Sequence, residues 1–290
     1  MPSLSQDAAD VSAALGCGVR AFAPSNEFRH DLLLAEDPYG RRRFVKVFPT
    51  NSRSAARETA AARLIGHHLP AVVPALVADG VTRSGRPWLA YEWVDLLPFQ
   101  PSRDNLYATG QSLARMHRIT VPQVPAALPR YGSPVDLVAE KASLVEQVDP
   151  LLATRIRRLC DRLTPPDPPP WRDEPPVLLH GDFGWRNVSL TAEGTVAIFD
   201  FEHAAVGAPV LELAKLADRE LNSDADRAAF LDGYAGVAPI DRTSWEAWLP
   251  LVRLWAAAGI IPYARETGDA EFEQHARYIL DRLDSLTAAG

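Results

Sequence analysis

The segment VLLHGDFGWRNVSLTAEGTVAIFDFEH, Val177 to His203, sets His180, Asp182, Asn187, Asp200 and Glu202 on a frame of apolar strand-like runs. Carboxylates gathered at the ends of apolar strands suit a charged ligand. NVSL and TVAIF flank the turn Thr191-Ala192-Glu193-Gly194, a hairpin signal with glycine at the turn's end. Pairing Leu190 with Thr195 puts Asn187 beside Ile198, so Asn187 and Asp200 become neighbours at the hairpin's open end. Strand VLLH delivers Asp182 to a short loop that closes on Asn187. A carboxylate and an amide oxygen at one site suit a hard cation such as Mg²⁺, which keeps waters and substrate phosphates among its ligands.

Two chemistries use such a set. In phosphoryl transfer, Asp182 orients and deprotonates a hydroxyl while Asn187 and Asp200 hold the metal that bridges ATP phosphates. In a metal-dependent hydrolase, His180, Asp182, Asp200, Glu202 and His203 bind two metals.

The amino-terminal half discriminates between them. Only three of the 30 basic residues are lysines, Lys46, Lys141 and Lys215. In RRFVKVF, alternation places Lys46 on one face with Phe44 and Phe48, opposite Val45 and Val47. The helix-like run that follows carries an apolar stripe, Ala55, Ala62, Ile65 and Leu69, interrupted by Glu58. An unpaired carboxylate buried there costs several kcal/mol, so a Lys46–Glu58 ion pair satisfies both residues. A kinase needs such a pair for the α/β-phosphates; a hydrolase does not.

With these residues in view, HGDFGWRN followed by IFDFE resembles the H-G-D-x-x-x-x-N and I-D-x-E signatures of the aminoglycoside phosphotransferase and choline kinase-like family. The resemblance runs from the first strands near residue 19 to the terminal helices. It implies a bilobal, protein-kinase-like α+β fold. It also implies Asp182 as the catalytic aspartate, Asn187 and Asp200 as magnesium ligands, and Lys46 with Glu58 as the phosphate-positioning pair for ATP. By the same resemblance His180 braces the loop, and LAYEWVDL is the hinge. There adenine bonds to backbone groups of Glu92 and Val94, and Tyr91 limits the depth of the site. The loop FAPSNEFRH lacks the glycines of a protein-kinase phosphate loop, and Ser25 and Asn26 take their place toward the β-phosphate. Glu212 stands where relatives carry a structural aspartate. Arg186 is left between a transferred phosphate and a carboxylate partner, and His117 is placed in the core.

The elements that must position these residues follow from the pattern. Residues 1–95 read as a nucleotide-binding lobe. Strands RAFAP, RHDLLLAED, RRFVKVFP, ALVADGV and PWLAYEWV make a five-stranded antiparallel sheet, with one main helix starting at Asn51 or Ser52. The hinge spans about 91–97, and DLLPFQPS is a connector. Residues 96–290 read as a larger, mostly helical lobe holding the hairpin, with helices over Asp104–Ile119 and Pro134–Leu163 and from Leu211 onward.

Composition sets the outer limits. The 290 residues are 47% hydrophobic and 23% charged, as in an ordinary globular protein. A net charge of −7 argues against a nucleic-acid partner. Two cysteines, Cys17 and Cys160, frame neither disulfides nor a metal site. No basic-then-apolar start marks a signal peptide, and no apolar run approaches the ~20 residues of a membrane span. The expectation is a cytoplasmic monomer or homodimer without a membrane partner.

The acceptor is the least legible part. An antibiotic in a resistance or self-resistance role suits the Arg- and Ala-rich composition. Choline, homoserine, a sugar or a nucleoside-like molecule stay open. Trp245, Trp248, Trp255 and Tyr263 line an acceptor pocket or fill the helical core. Glu266, Asp269, Glu271 and Glu273 receive a polycation or form a solvated face. A pseudokinase is disfavoured, because Lys46, Glu58, Asp182, Asn187 and Asp200 are all present.

Overall fold

Strand alternation in the first hundred residues decides which side chains meet which helix. The computed structural model describes residues 4–22, 30–119, 125–167, 169, 176–221 and 223–288. Helix α1 (Leu4–Leu15) is followed by β1 (Gly18–Ala21), β2 (Asp31–Glu36), β3 (Arg42–Val47), α2 (Arg53–His68), β4 (Leu76–Val81) and β5 (Pro87–Glu92). The five strands pair antiparallel in the order β1-β2-β3-β5-β4. One sheet face buries Leu33, Ala35, Val45, Val47, Trp88 and Ala90 with Val11 of α1. The other buries Phe48, Leu89 and Tyr91 with Ala55 and Ala62 of α2. Lys46 shares this second face, as its period-2 position requires. Helix α1 is an addition to the sequence expectation. Its Asp7 and Asp10 are tied to Arg86 and Arg83 in the turn between β4 and β5.

Helix α2 starts at the N-cap Ser52, whose side chain makes no capping bond. After β5 the chain was expected to be a mere connector. Instead Leu96–Pro98 forms β6, which pairs with β8 (Val188–Thr191) through Leu97 and Leu190. Strand β8 in turn pairs with β9 (Val196–Ile198), giving a three-stranded sheet, and β7 (Val177–Leu179) pairs with β10 (Ala205–Gly207). The remainder is helical: α3 (Arg103–His117), α4 (Pro134–Glu146), α5 (Pro150–Leu163), α6 (Val210–Arg219), α7 (Asp224–Ala235), α8 (Arg242–Thr267) and α9 (Ala270–Ala288). The architecture is the α+β, bilobal kinase-like one.

Two local expectations are corrected. The single helix over Pro134–Leu163 is two, because Pro150 cannot donate into a preceding turn and Asp149 caps α5 by accepting from Leu152 N–H at 3.0 Å. The hairpin register is also one residue off. Val188, not Asn187, faces Ile198, and Leu190 faces Val196. Thr191 N–H donates to Thr195 O, so the loop is the three residues Ala192-Glu193-Gly194. Gly194 takes φ 79°, the left-handed position such a loop demands.

One segment, Trp245–Thr267 in α8, is 23 residues long and apolar enough to cross a membrane by length and composition, contrary to the expectation that none would be. In this structure its Trp248, Leu251, Leu254, Ala257, Ala258 and Ile261 are core residues packed with α4, α5 and α9.

Candidate active site

The loop between β7 and the hairpin is fixed from beneath. Gly181 adopts φ 79°, and a Cβ there would lie 2.0 Å from the carbonyl oxygen of His203. Buried Glu212, in the first turn of α6, accepts the backbone N–H of both His180 and Gly181, the latter at 3.0 Å. The fully buried His180 ring donates from Nε2 to the Phe199 carbonyl at 2.9 Å and accepts at Nδ1 from Asp182 N–H at 3.3 Å. These contacts give His180 the bracing position and commit both ring nitrogens. A metal-ligating role for it in a two-metal hydrolase would have to break them.

Asp182 follows, with Asn187 at the end of the one-turn 3₁₀ helix Trp185–Asn187. The Asn187 amide nitrogen donates to the Asp182 carbonyl at 2.9 Å and lies 3.5 Å from its carboxylate. Its amide oxygen therefore points elsewhere. Phe199 N–H donates to Asn187 O at 3.1 Å, which brings Asp200 next to Asn187 one step beyond the corrected register. Arg186 is ion-paired with Asp182 across one turn. Of its two expected partners, this structure holds the carboxylate.

Asp200 has φ 69°, a left-handed conformation uncommon outside glycine, asparagine and aspartate. Two residues beyond β9, it meets Lys46: Nζ lies 2.6 Å from Asp200 Oδ1 and 2.8 Å from Glu58 Oε2. Lys46 and Glu58 are both buried, whereas the Asp200 side chain is 36% exposed. Burial opposes the charge on Lys46, but Glu58 and Asp200 outweigh it and raise its pKa. Burial pushes the Glu58 carboxyl up, and Lys46 offsets that in part. Tyr91 OH donates to Glu58 Oε1 at 2.8 Å. Burial, and then the Glu58 charge, hold its phenol well above the usual range. This bond was not anticipated. Its signal was the placement of Tyr91 on the Lys46 face of the sheet, opposite Phe44.

Glu202 adds a third carboxylate. Burial raises its pKa, but hydrogen bonds from His203 and His30 and the charge of Lys46 prevail and hold it well below the carboxylate range. Among the described residues, no three His, Cys, Asp or Glu side chains form a metal-binding group.

A model of the phosphotransferase enzyme family, APH, matches residues 19–249. The chain belongs to the phosphotransferase enzyme family. Solved structures share the fold with this phosphotransferase at low identity. The macrolide 2'-phosphotransferase MphH of Brachybacterium faecium is 18% identical, with 93% of this chain and 96% of that chain covered and a TM-score of 0.70. A GDP complex of wild-type aminoglycoside 2'-phosphotransferase-IIIa is 16% identical, with 96% and 97% covered and a TM-score of 0.66. A putative fructosamine-3-kinase of Haemophilus somnus is 13% identical, with 96% and 97% covered and a TM-score of 0.67. The uncharacterized protein sll1119 of Synechocystis sp. is 25% identical over 224 residues, which span 68% of this chain and 59% of that protein.

Other expected positions in this phosphotransferase fall as follows. Glu92 ends β5, its N–H donating to Ala75 O at 2.9 Å, and Val94 lies in the link to β6. Ser25 and Asn26 lie outside the described residues. His117 is buried, its Nδ1 2.8 Å from Tyr234 OH. Trp245 and Trp248 are core residues, whereas Tyr263 is 37% exposed. Glu273 pairs with Arg265 and Arg277, and Asp269 accepts from Phe272 N–H at the start of α9. Those two acidic residues have structural partners.

Proposed function

We propose that the protein is an ATP- and Mg²⁺-dependent kinase that transfers the γ-phosphoryl group to a hydroxyl of a small molecule. The observation that carries this reading is Lys46, bridging buried Glu58 at 2.8 Å and half-exposed Asp200 at 2.6 Å. A cation held ready beside a partly exposed carboxylate is what polyphosphate positioning needs.

In this reading residues 1–95 and 96–290 are the two lobes, with the hinge over 91–97. Lys46, oriented by Glu58, binds the α/β-phosphates, and Ser25 and Asn26 approach the β-phosphate. Adenine bonds to the Glu92 carbonyl and the Val94 N–H, with Tyr91 closing the back of the site. The amide oxygen of Asn187 and the exposed carboxylate of Asp200 are hard oxygen donors and fit Mg²⁺, which would neutralise phosphate charge there. Asp182 accepts the proton of the acceptor hydroxyl, and Arg186 holds its carboxylate until substrate arrives.

The fold neighbours include a macrolide and an aminoglycoside phosphotransferase and a putative fructosamine-3-kinase. They favour a small hydroxylated acceptor, either an antibiotic or a metabolite. The test is a panel of both, incubated with MgATP and read by ADP release and by a product heavier by one phosphoryl group. Phosphoester hydrolysis with Zn²⁺ or Mn²⁺ and indifference to ATP would replace this reading with the hydrolase. Cytoplasmic location is part of the proposal, resting on the two unpaired cysteines.

A further inference from the structure

One oxygen of Glu202 serves two nitrogens. Oε2 lies 2.5 Å from His30 Nε2 and 3.8 Å from Lys46 Nζ. His30 immediately precedes β2 in the sheet lobe, and Glu202 follows β9, so the contact joins the two lobes across 172 positions of sequence. Both side chains are largely buried, at 10% and 15% exposure. The imidazole also packs against Phe48, with ring centroids 4.6 Å apart, and Lys46 Nζ lies 4.9 Å from the centre of the same phenyl ring. His30 is thus fixed from two sides, next to the lysine assigned to nucleotide phosphates.

A carboxylate only accepts hydrogen bonds, so Nε2 carries the proton toward Glu202. The other ring nitrogen, Nδ1, is buried and has no partner among the described residues. A buried, unsatisfied nitrogen is costly and rare in a settled core. It is explained when a ligand completes it.

We propose, resting on the kinase reading, that His30 is a phosphate-binding residue. With Nε2 anchored on Glu202, it presents Nδ1 to the terminal phosphate of a nucleoside triphosphate. Glu202 stands two residues beyond Asp200, on the metal side of Lys46, where the terminal phosphate belongs if Lys46 takes the inner ones. A phosphate oxygen at Nδ1 would give the buried nitrogen the partner it lacks.

The test compares ADP with a non-hydrolysable ATP analogue, both with Mg²⁺, by calorimetric titration. In His30→Gln the amide reaches the Nε2 position and keeps Glu202, but nothing stands at Nδ1. In His30→Asn the shorter amide stands at Nδ1 and gives up Glu202. The expected result is that His30→Gln loses roughly tenfold in affinity for the analogue, about the worth of one charge-assisted bond, while its ADP affinity is unchanged. His30→Asn keeps most of the preference for the triphosphate. A His30→Gln protein with the wild-type preference would overturn the proposal and leave only an interlobe clasp. Should neither variant fold, the wild-type ring answers by ¹⁵N NMR. Its Nδ1 resonance shifts with the analogue and not with ADP, and equal response to both overturns the proposal. Wild-type protein that binds neither nucleotide sinks the kinase reading and this inference together, whereas nucleotide binding indifferent to His30 sinks this inference alone.

Discussion

Lys46 of β3 and Asp200 after β9 meet at 2.6 Å, tying the sheet lobe to the turn that follows the hairpin. The ammonium also holds Glu58, so the structural and chemical duties of Lys46 can be separated by mutation. Lys46→Met leaves Glu58 buried without its cation and should cost about 3–5 kcal/mol in urea unfolding, together with nucleotide binding. Adding Glu58→Leu replaces the broken pair with apolar surface and should recover most of that stability. Turnover should not return. Restored activity in the double variant would show that the pair serves the fold alone.

Tyr91→Phe removes a buried donor to Glu58 without opening a cavity. The remaining carboxylate keeps Lys46, so the expected loss is about 1.5–3 kcal/mol, the range for a hydrogen bond to a charged group. Chemical denaturation measures it. A loss below about 0.5 kcal/mol would mean that solvent reaches Glu58 in solution.

What was legible in the sequence, and what was not, follows from range. Lys46 and Glu58 announced themselves locally, one as a lysine on an aromatic face and the other as a gap in an apolar helical stripe. Their pairing followed because each is intolerable alone. Asp182, Asn187 and Asp200 lay within one short segment, so a hairpin sufficed to gather them. The register slipped by one because NVSL and TVAIF place apolar residues on either face, and only the three-residue turn with Gly194 fixes the count. The contact of Glu212 with the 180–181 backbone spans 31 residues and no periodicity reports it, whereas for Tyr91 and Glu58, 33 residues apart, alternation gave only the shared face and not the bond. His30 pairs across 172 residues and carries no local signal at all. Strand β6 was hidden by Pro98, which an edge strand tolerates.

Glu212→Ala tests the floor of the loop that carries Asp182. The two backbone N–H groups of His180 and Gly181 lose this acceptor in a buried place, at about 1–3 kcal/mol each. Glu212→Gln keeps one acceptor oxygen and should fall between that variant and wild type. Hydrogen exchange of the His180 and Gly181 amides, faster in the alanine variant, checks that the loss is local.

Acid stability should report His117. Full burial lowers its pKa from 6.5 to about 3, so the folded protein holds the ring neutral while the unfolded chain protonates it. The unfolded state then binds more protons between those two values. Stability is whole above pH 6.5 and is lost as the pH falls toward 3, by up to roughly 1.4 kcal/mol per pH unit. In His117→Gln the side chain does not titrate, so the slope through that window should shrink even if the neutral-pH stability is lower. An unchanged slope would place the acid sensitivity elsewhere.

Asp182 decides the nature of the reaction. Its carboxylate is 15% exposed, paired with Arg186 and braced by the Asn187 amide, so it is reachable by a hydroxyl and already oriented. Asp182→Asn preserves the shape and one acceptor oxygen but cannot take up a proton as a carboxylate does. Asn187, Asp200 and Lys46 are untouched, so if they are the groups that hold MgATP, as proposed, its affinity should stay within about twofold. Turnover should fall roughly 10²- to 10⁴-fold, the usual loss of a positioned acid–base group. Arg186→Gln separates the two roles of the ion pair. If Arg186 only parks the carboxylate, KM for the acceptor changes and kcat holds; if it also meets the transferred phosphoryl group, kcat falls with it. Full activity in Asp182→Asn would remove this carboxylate from the chemistry and return the hydroxyl's proton to solvent.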